Sequence, residues 1–332
     1  MRLLRNLIFI LLVLLFVYII GPHPSTPKYN QDLSDIPSDP ILLQQFISNK
    51  EALHKIKPNN EARIVWASDS LKQKTEYSIV YLHGFSASQE EGNPVHRNIA
   101  KQFGWNLYLS RLAEHGIDTT DALINFTADK LWESAKEAYL IGKQLGNKVI
   151  LMGTSTGGTL ALQLAAVYPD IAGIILLSPN IAINDPNAWL LNDQWGLQLA
   201  RLFKQSKFNI IPYDSPDYKK YWNDRYRLEA TVQLEELLET TMNANTFAKI
   251  KQPALTLYYY RDEKNQDNVV KVSAIKDMFA ELGTADTKKK MIPIPNAGNH
   301  VLGSPIVSKD IITPQKEIAS FLTSIMQLKA IN

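Results

Sequence analysis

The apolar pattern of the chain predicts an α/β fold with a mostly parallel sheet wound on both faces. Two observations carry this expectation. Short apolar runs of strand length alternate with longer segments of helical pattern. Those runs are continuously apolar rather than polar at every second residue, as strands buried on both faces require. The 332 residues, 45% hydrophobic and 20% charged, fit a folded chain with a sizeable core, in one large domain or two small ones.

The first three expected strands are "ARIVWA" (62–67), "YSIVYLHG" (77–84) and "WNLYLSRL" (105–112). A helix follows over 127–146, with Thr127 as N-cap and Gly146 as its stop. The strand "KVILMG" (148–153) leads into the helix "TGGTLALQLAAVYP", which ends at Pro169. Then come the strand "IAGIILLSP" (171–179), the strand "PALTLYYY" (253–260), a helix over 271–283 and the strand "KKMIPIP" (289–295). A closing helix spans 313–327, with Pro314 in its first turn. Residues 181 to about 245 interrupt the alternation and offer no convincing buried strand. They carry Trp189, Trp195, Phe203, Phe208, Tyr213, Tyr218, Tyr221, Trp222 and Tyr226. Most of these aromatics are expected to form the ordinary core of a small helical subdomain.

The N-terminus is of another kind. Arg2 and Arg5 precede an unbroken apolar run from Leu7 to Ile20, and a proline-punctuated stretch follows. Residues 1–20 are read as a signal-anchor or a signal peptide, and 21–60 as a linker holding a short helix. The anchor is favoured because "YIIGPHP" lacks alternate small residues for cleavage. Both readings send the rest of the chain to the non-cytoplasmic side, membrane-anchored in one case, secreted or periplasmic in the other. The formal net charge of +2 and the lack of a long basic run give no argument for nucleic acid. With no cysteine, disulfides, thiolate metal sites and cysteine nucleophiles are excluded.

"GTSTGG" (153–158) matches G-x-S-x-G, in the setting of strand, turn and helix that the motif needs. Such a turn pushes the Ser155 hydroxyl into the open, and glycines at 153 and 157 remove side chains that would collide across it. A phosphate-binding loop would need lysine after Gly158, where Thr159 stands. A serine hydroxyl needs a base. In chain order Ser, acid, His, only His300 of the six histidines lies after Ser155, in a polar turn beyond a strand. His115 precedes the serine and is read as a loop residue. Two backbone N–H groups are expected to hold a developing oxyanion: Thr156, after the serine, and Phe85, after His83-Gly84.

Together "YLHGF", "GTSTGG", the acidic loop after "LTLYYY" and "NAGNH" resemble the α/β-hydrolase superfamily, near the carboxylesterase and monoacylglycerol-lipase-like serine hydrolases. The resemblance covers residues 62 to 328, within a hydrolase domain read as 61–330. It implies the α/β-hydrolase fold, with 181–245 inserted as a helical cap over the serine. It separates the chain from the haloalkane dehalogenase and epoxide hydrolase branches, which use aspartate where Ser155 stands. The acid that orients the histidine belongs on the loop after "LTLYYY", where Asp262 and Glu263 lie nearest the strand. The superfamily's Asp-x-Val-Val pattern implies Asp267 instead. This loop is longer than usual, so Asp262 and Glu263 stay open. The implied activity is hydrolysis of a small acyl ester through an acyl-enzyme, with no metal or cofactor. Thioesterase, acyltransferase, peptidase or perhydrolase chemistry shares the same residues. A non-catalytic binding protein on a hydrolase fold is the rival from another class.

Overall fold

The computed structural model describes residues 2–213 and 215–331. Seven strands form the central sheet: β1 (Arg63–Val65), β2 (Thr75–Leu82), β3 (Asn106–Leu109), β4 (Gly146–Thr154), β5 (Gly173–Leu177), β6 (Ala254–Tyr258) and β7 (Lys289–Pro293). Their spatial order is β1-β3-β2-β4-β5-β6-β7, and only β1 runs antiparallel to its neighbour. Side chains alternate between two apolar layers. Val80, Leu82, Leu151 and Leu176 enter one, whereas Ile79, Tyr81, Ile150 and Leu177 enter the other. Both faces are covered, which is why the strands read as unbroken apolar runs.

Helices α1 (Arg2–Ile19), α2 (Pro40–Glu51), α3 (Val95–Phe103), α4 (Ala128–Leu145) and α5 (Thr156–Val167) occupy the first half. The segment between β5 and β6 holds α6 (Gly196–Lys204), α7 (Pro216–Tyr221), α8 (Leu228–Thr241) and α9 (Ala244–Lys249). It also holds a small antiparallel ribbon pairing 208–210 with 225–227, which the sequence did not announce. Helices α10 (Val272–Glu281) and α11 (Ile312–Ser320) follow, and α11 runs into a π turn over 321–325. Thr127 caps α4 as expected, accepting from Lys130 N–H. Gly146 ends that helix as expected, not in a left-handed turn but in extended backbone that opens β4. A Cβ there would lie 2.4 Å from Ser78 N, so close strand pairing explains the glycine.

Residues 20–38 form no helix or strand, yet they are laid along the body. Trp132 Nε1 donates to Asn30 O at 2.6 Å, Tyr168 OH to Gln31 O at 2.8 Å, and Tyr29 OH bonds Thr240 Oγ1. Trp132 is fully buried, stacked on Tyr168 and edge-on to Tyr29.

Five of the six parallel strands, β2, β4, β5, β6 and β7, end nearly level. The register sets Leu82 beside Gly153, Thr154 beside Leu177, Leu177 beside Leu257, and Tyr258 beside Pro293. The loops that leave these ends therefore meet at one edge of the sheet. Removing Trp132 takes away the platform under residues 29–31. Trp132→Ala should cost about 3–5 kcal/mol, read as a lower denaturant midpoint for unfolding with an unchanged far-ultraviolet spectrum.

Candidate active site

Ser155 sits where β4 turns into α5, with φ 53° and ψ −119°. This is strained backbone for a residue with a Cβ. Several bonds impose it. Ser155 N donates to Leu177 O at 3.0 Å, and Gly158 N and Asn180 N donate to Ser155 O at 2.8 and 3.0 Å. The glycines are required by backbone crowding. A Cβ on Gly153 would lie 2.3 Å from Gly157 O, and one on Gly157 only 1.9 Å from Leu82 O. The first turn of α5 thus presses against the end of β2, where His83-Gly84-Phe85 begins. Gly84 is short of room too: a Cβ would meet Glu91 Oε1 at 2.9 Å and Ser155 Cβ at 3.0 Å. Among the described residues, neither the Phe85 N–H nor the Thr156 N–H has a hydrogen-bond acceptor. Both are free to receive one from a ligand.

His300 and Asp267 meet at the same edge. His300 Nδ1 lies 2.6 Å from Asp267 Oδ2, and both side chains are buried. Asp267 Oδ1 accepts from Val269 N and Val270 N at 2.9 and 3.1 Å, which fixes the carboxylate at the start of the segment leading to α10. Asp262 and Glu263 do not approach. Asp262 Oδ1 accepts from Lys264 N and Asn265 N, and Glu263 Oε1 accepts from Tyr260 OH, all on the exposed surface. The extra loop length has a simple form. Residues 260–262 pair with 265–266 as a short hairpin that returns the chain to its origin. Asp267 N donates to Tyr259 O at 3.1 Å, so Asp267 stands beside the residue that follows β6.

His300 Nε2 is buried without a hydrogen-bond partner, and no hydrogen bond yet joins it to Ser155. Both line one cavity of about 1040 Å³. The segment between β5 and β6 roofs this cavity. Of the nine aromatics in residues 181–245, Phe203, Tyr213, Tyr218, Trp222 and Tyr226 line it, rather than forming only the core of a subdomain. Tyr218 stacks on Trp222 with centroids 4.9 Å apart, and Tyr213 stacks on Tyr218 at 4.2 Å.

The remaining histidines near the site are supports. His83 Nδ1 contacts Gly84 O at 2.9 Å, and its Nε2 accepts from Leu112 N at 3.0 Å. Burial drives its pKa well down, so it is a neutral strut behind Gly84. His115 is a loop residue, as expected, and is buried. It packs edge-on against His83 and Phe85, and burial lowers its pKa to about 4.

Glu91 is the residue that pattern reading missed. It lies in a short 3-10 turn after "YLHGF", is buried, lines the cavity, and accepts from Gly84 N at 2.6 Å through Oε2. Burial raises its pKa to about 7, partly offset by the Gly84 N–H, by His300 and by Trp222. Nothing in "SQEEG" marks it, because its importance comes from Gly84 being folded against it. Burial opposes the charged form of His300. The Asp267 charge and hydrogen bond, with the Glu91 charge, more than compensate, so its pKa lies above the ordinary 6.5.

A parallel sheet that ends in this serine turn, with the acid and the histidine after its last two strands, is the α/β-hydrolase fold. The family model described as serine aminopeptidase, S33 matches residues 128–295, just over half of the chain. The chain belongs to that family, and it is a hydrolase. It is 28% identical over 223 residues to the thermostable monoacylglycerol lipase of Bacillus sp. (strain H-257), covering 66% of this chain and 81% of that protein. Among solved structures it is similar in fold to the monoacylglycerol lipase of Paleococcus ferrophilus, with 15% identity and a TM-score of 0.58, covering 81% of this chain and 98% of the other. It is also similar to Est1E from Butyrivibrio proteoclasticus with ferulic acid bound, with 16% identity and a TM-score of 0.54, covering 80% and 95%.

The Glu91 charge predicts a titration effect with a definite sign. Glu91→Gln keeps an oxygen for Gly84 N–H but removes a negative charge that favours protonated His300. The pH at which His300 loses its proton should therefore fall, as read from its imidazole resonances by NMR.

Proposed function

We propose that this protein hydrolyses carboxylic esters of fatty or other apolar acids through a serine acyl-enzyme. The observation that carries the reading is the buried Asp267–His300 pair, whose His300 lines one aromatic-walled cavity with the strained Ser155. Ser155 Oγ attacks the ester carbonyl as His300 Nε2 takes its proton. Asp267 holds Nδ1–H, fixing the tautomer and stabilising the imidazolium. The carbonyl oxygen, now negative, is received by the N–H groups of Phe85 and Thr156. His300 then gives its proton to the leaving alcohol. Water attacks the acyl-enzyme by the same route in reverse and releases the acid. No step calls for a metal or cofactor. Apolar residues around the aromatic cluster suit an acyl chain, which favours an ester with a lipid-like acid.

Ester cleavage should be measurable with p-nitrophenyl butyrate. Ser155→Ala should abolish it and abolish labelling by a fluorophosphonate probe. Equal rates for Ser155→Ala and the unaltered protein would overturn the assignment. Asp267→Asn should lower kcat by about 10⁴-fold, as loss of the orienting carboxylate does in related chemistry. Asp262→Asn should leave it unchanged within experimental error. The other chemistries that share these residues are separated by substrate panel. Acyl thioesters, an added acceptor alcohol and amino-acid p-nitroanilides report thioesterase, acyltransferase and peptidase action in turn. Each should be turned over more slowly than the ester.

We also propose that α1 is a single N-terminal membrane anchor with the hydrolase on the non-cytoplasmic side. Its 18 residues are wholly exposed and have a mean hydropathy of 2.2. At 1.5 Å per residue they reach about 27 Å, close to the hydrocarbon thickness of a bilayer. Arg2 and Arg5 favour a cytoplasmic N-terminus. A cleaved signal peptide is the alternative.

A further inference from the structure

Two features are left over when the site has been described. One is an exposed apolar face on α6. Leu202 and Phe203 are 75% and 88% exposed, Leu199 is half exposed, and the three lie on one side of the helix at i, i+3 and i+4. Ile210 and Trp189 are also exposed in the same segment. The other feature is a set of bonds between α1 and the loop before α6. Tyr18 OH donates to Asp193 Oδ1 and Oδ2 at 2.9 and 2.8 Å. Trp195 Nε1 donates to Val17 O, and Trp195 N to Pro22 O, both at 2.9 Å. Gly21 admits this contact, since a Cβ there would lie 2.3 Å from Trp195 Nε1.

We propose that the α6 face docks on the bilayer that holds α1, with Leu199, Leu202 and Phe203 at the boundary of acyl chains and headgroups. The same three residues line the cavity rim. A lipid ester in the outer part of the leaflet therefore enters the cavity without crossing water. The proposal rests on the reading of α1 as an anchor.

The geometry is tightly limited. Val17 and Tyr18 lie in the last turn of α1 and Gly21 just beyond it, so the residues that touch them sit where the anchor leaves the membrane. Trp195 immediately precedes α6. The nine residues of α6 extend about 14 Å from Trp195, which is itself bonded at the exit point, so the whole helix stays near the membrane surface. Tyr18, Trp189 and Trp195 supply amphipathic rings of the kind found at membrane–water interfaces. Lys204 and Lys207 are exposed beside Phe203, where they can meet anionic headgroups. A face this apolar, tethered this close to a bilayer, gains free energy by burial in it.

The chain has no cysteine, so a single one can be introduced and labelled without background. Phe203→Cys, Phe9→Cys and Asp286→Cys, each in the full chain, are labelled with an environment-sensitive nitrobenzoxadiazole. They are then reconstituted in phosphatidylethanolamine–phosphatidylglycerol vesicles containing lipid with a nitroxide on its acyl chain. Phe9 reports the anchor. Asp286 is exposed just before β7, at the edge of the sheet opposite the cavity. The expected result is loss of emission at positions 9 and 203 and none at 286. Loss at position 9 with full emission at 203 overturns the docking proposal and leaves the anchor reading intact. Full emission at position 9 overturns the anchor reading and the proposal with it. Loss at position 286 equal to that at 203 also overturns it, because contact would then not be specific to the α6 face.

Discussion

One crowded contact governs the site. The first turn of α5 lies so close to the end of β2 that nothing larger than glycine fits at position 157. That closeness packs the serine turn against His83-Gly84, where a Cβ on Gly84 would lie 3.0 Å from Ser155 Cβ. It also puts Ser155 in a backbone conformation it would not choose. Its bonds to Leu177 O, Gly158 N and Asn180 N hold it there. The cost of the strained serine is spread over β2, β4 and β5, whose level ends make the contact possible.

Around that contact the protein keeps its ionisable groups in distinct states by burial. His83, His96 and His115 are buried beside backbone carbonyls, and burial holds all three neutral. His300 is equally buried but faces two carboxylates, and its proton is held more tightly than usual. Four imidazoles in one region thus divide into three struts and one group suited to accept and return a proton. The division follows from partners, not from exposure.

Much of this was legible in the residues because local chemistry announced it. The serine turn needs two glycines at fixed spacing, and strands covered on both faces must be apolar without a break. Ser155, His300 and the parallel sheet could therefore be read one element at a time. What the sequence withheld depends on contacts between distant segments. Glu91 matters only because Gly84 is folded onto it. Gly146 does end α4, but the reason it must be glycine, the pairing of β4 with β2, is invisible in one dimension. The aromatics of residues 181–245 looked like core because no local pattern tells a cavity wall from a packed interior. The choice between Asp262 and Asp267 was open for the same reason: counting residues could not show that the intervening ones fold back on themselves.

That fold-back has a consequence of its own. The hairpin at 260–266 begins and ends at nearly the same point, clasped by Asp267 N and Tyr259 O. Distance along the chain is thereby uncoupled from distance in space. Material added at its exposed tip, near Lys264, would leave the carboxylate undisturbed. The surface beside the acid is thus a place where the protein can be lengthened, tagged or given a new address without its chemistry registering the change.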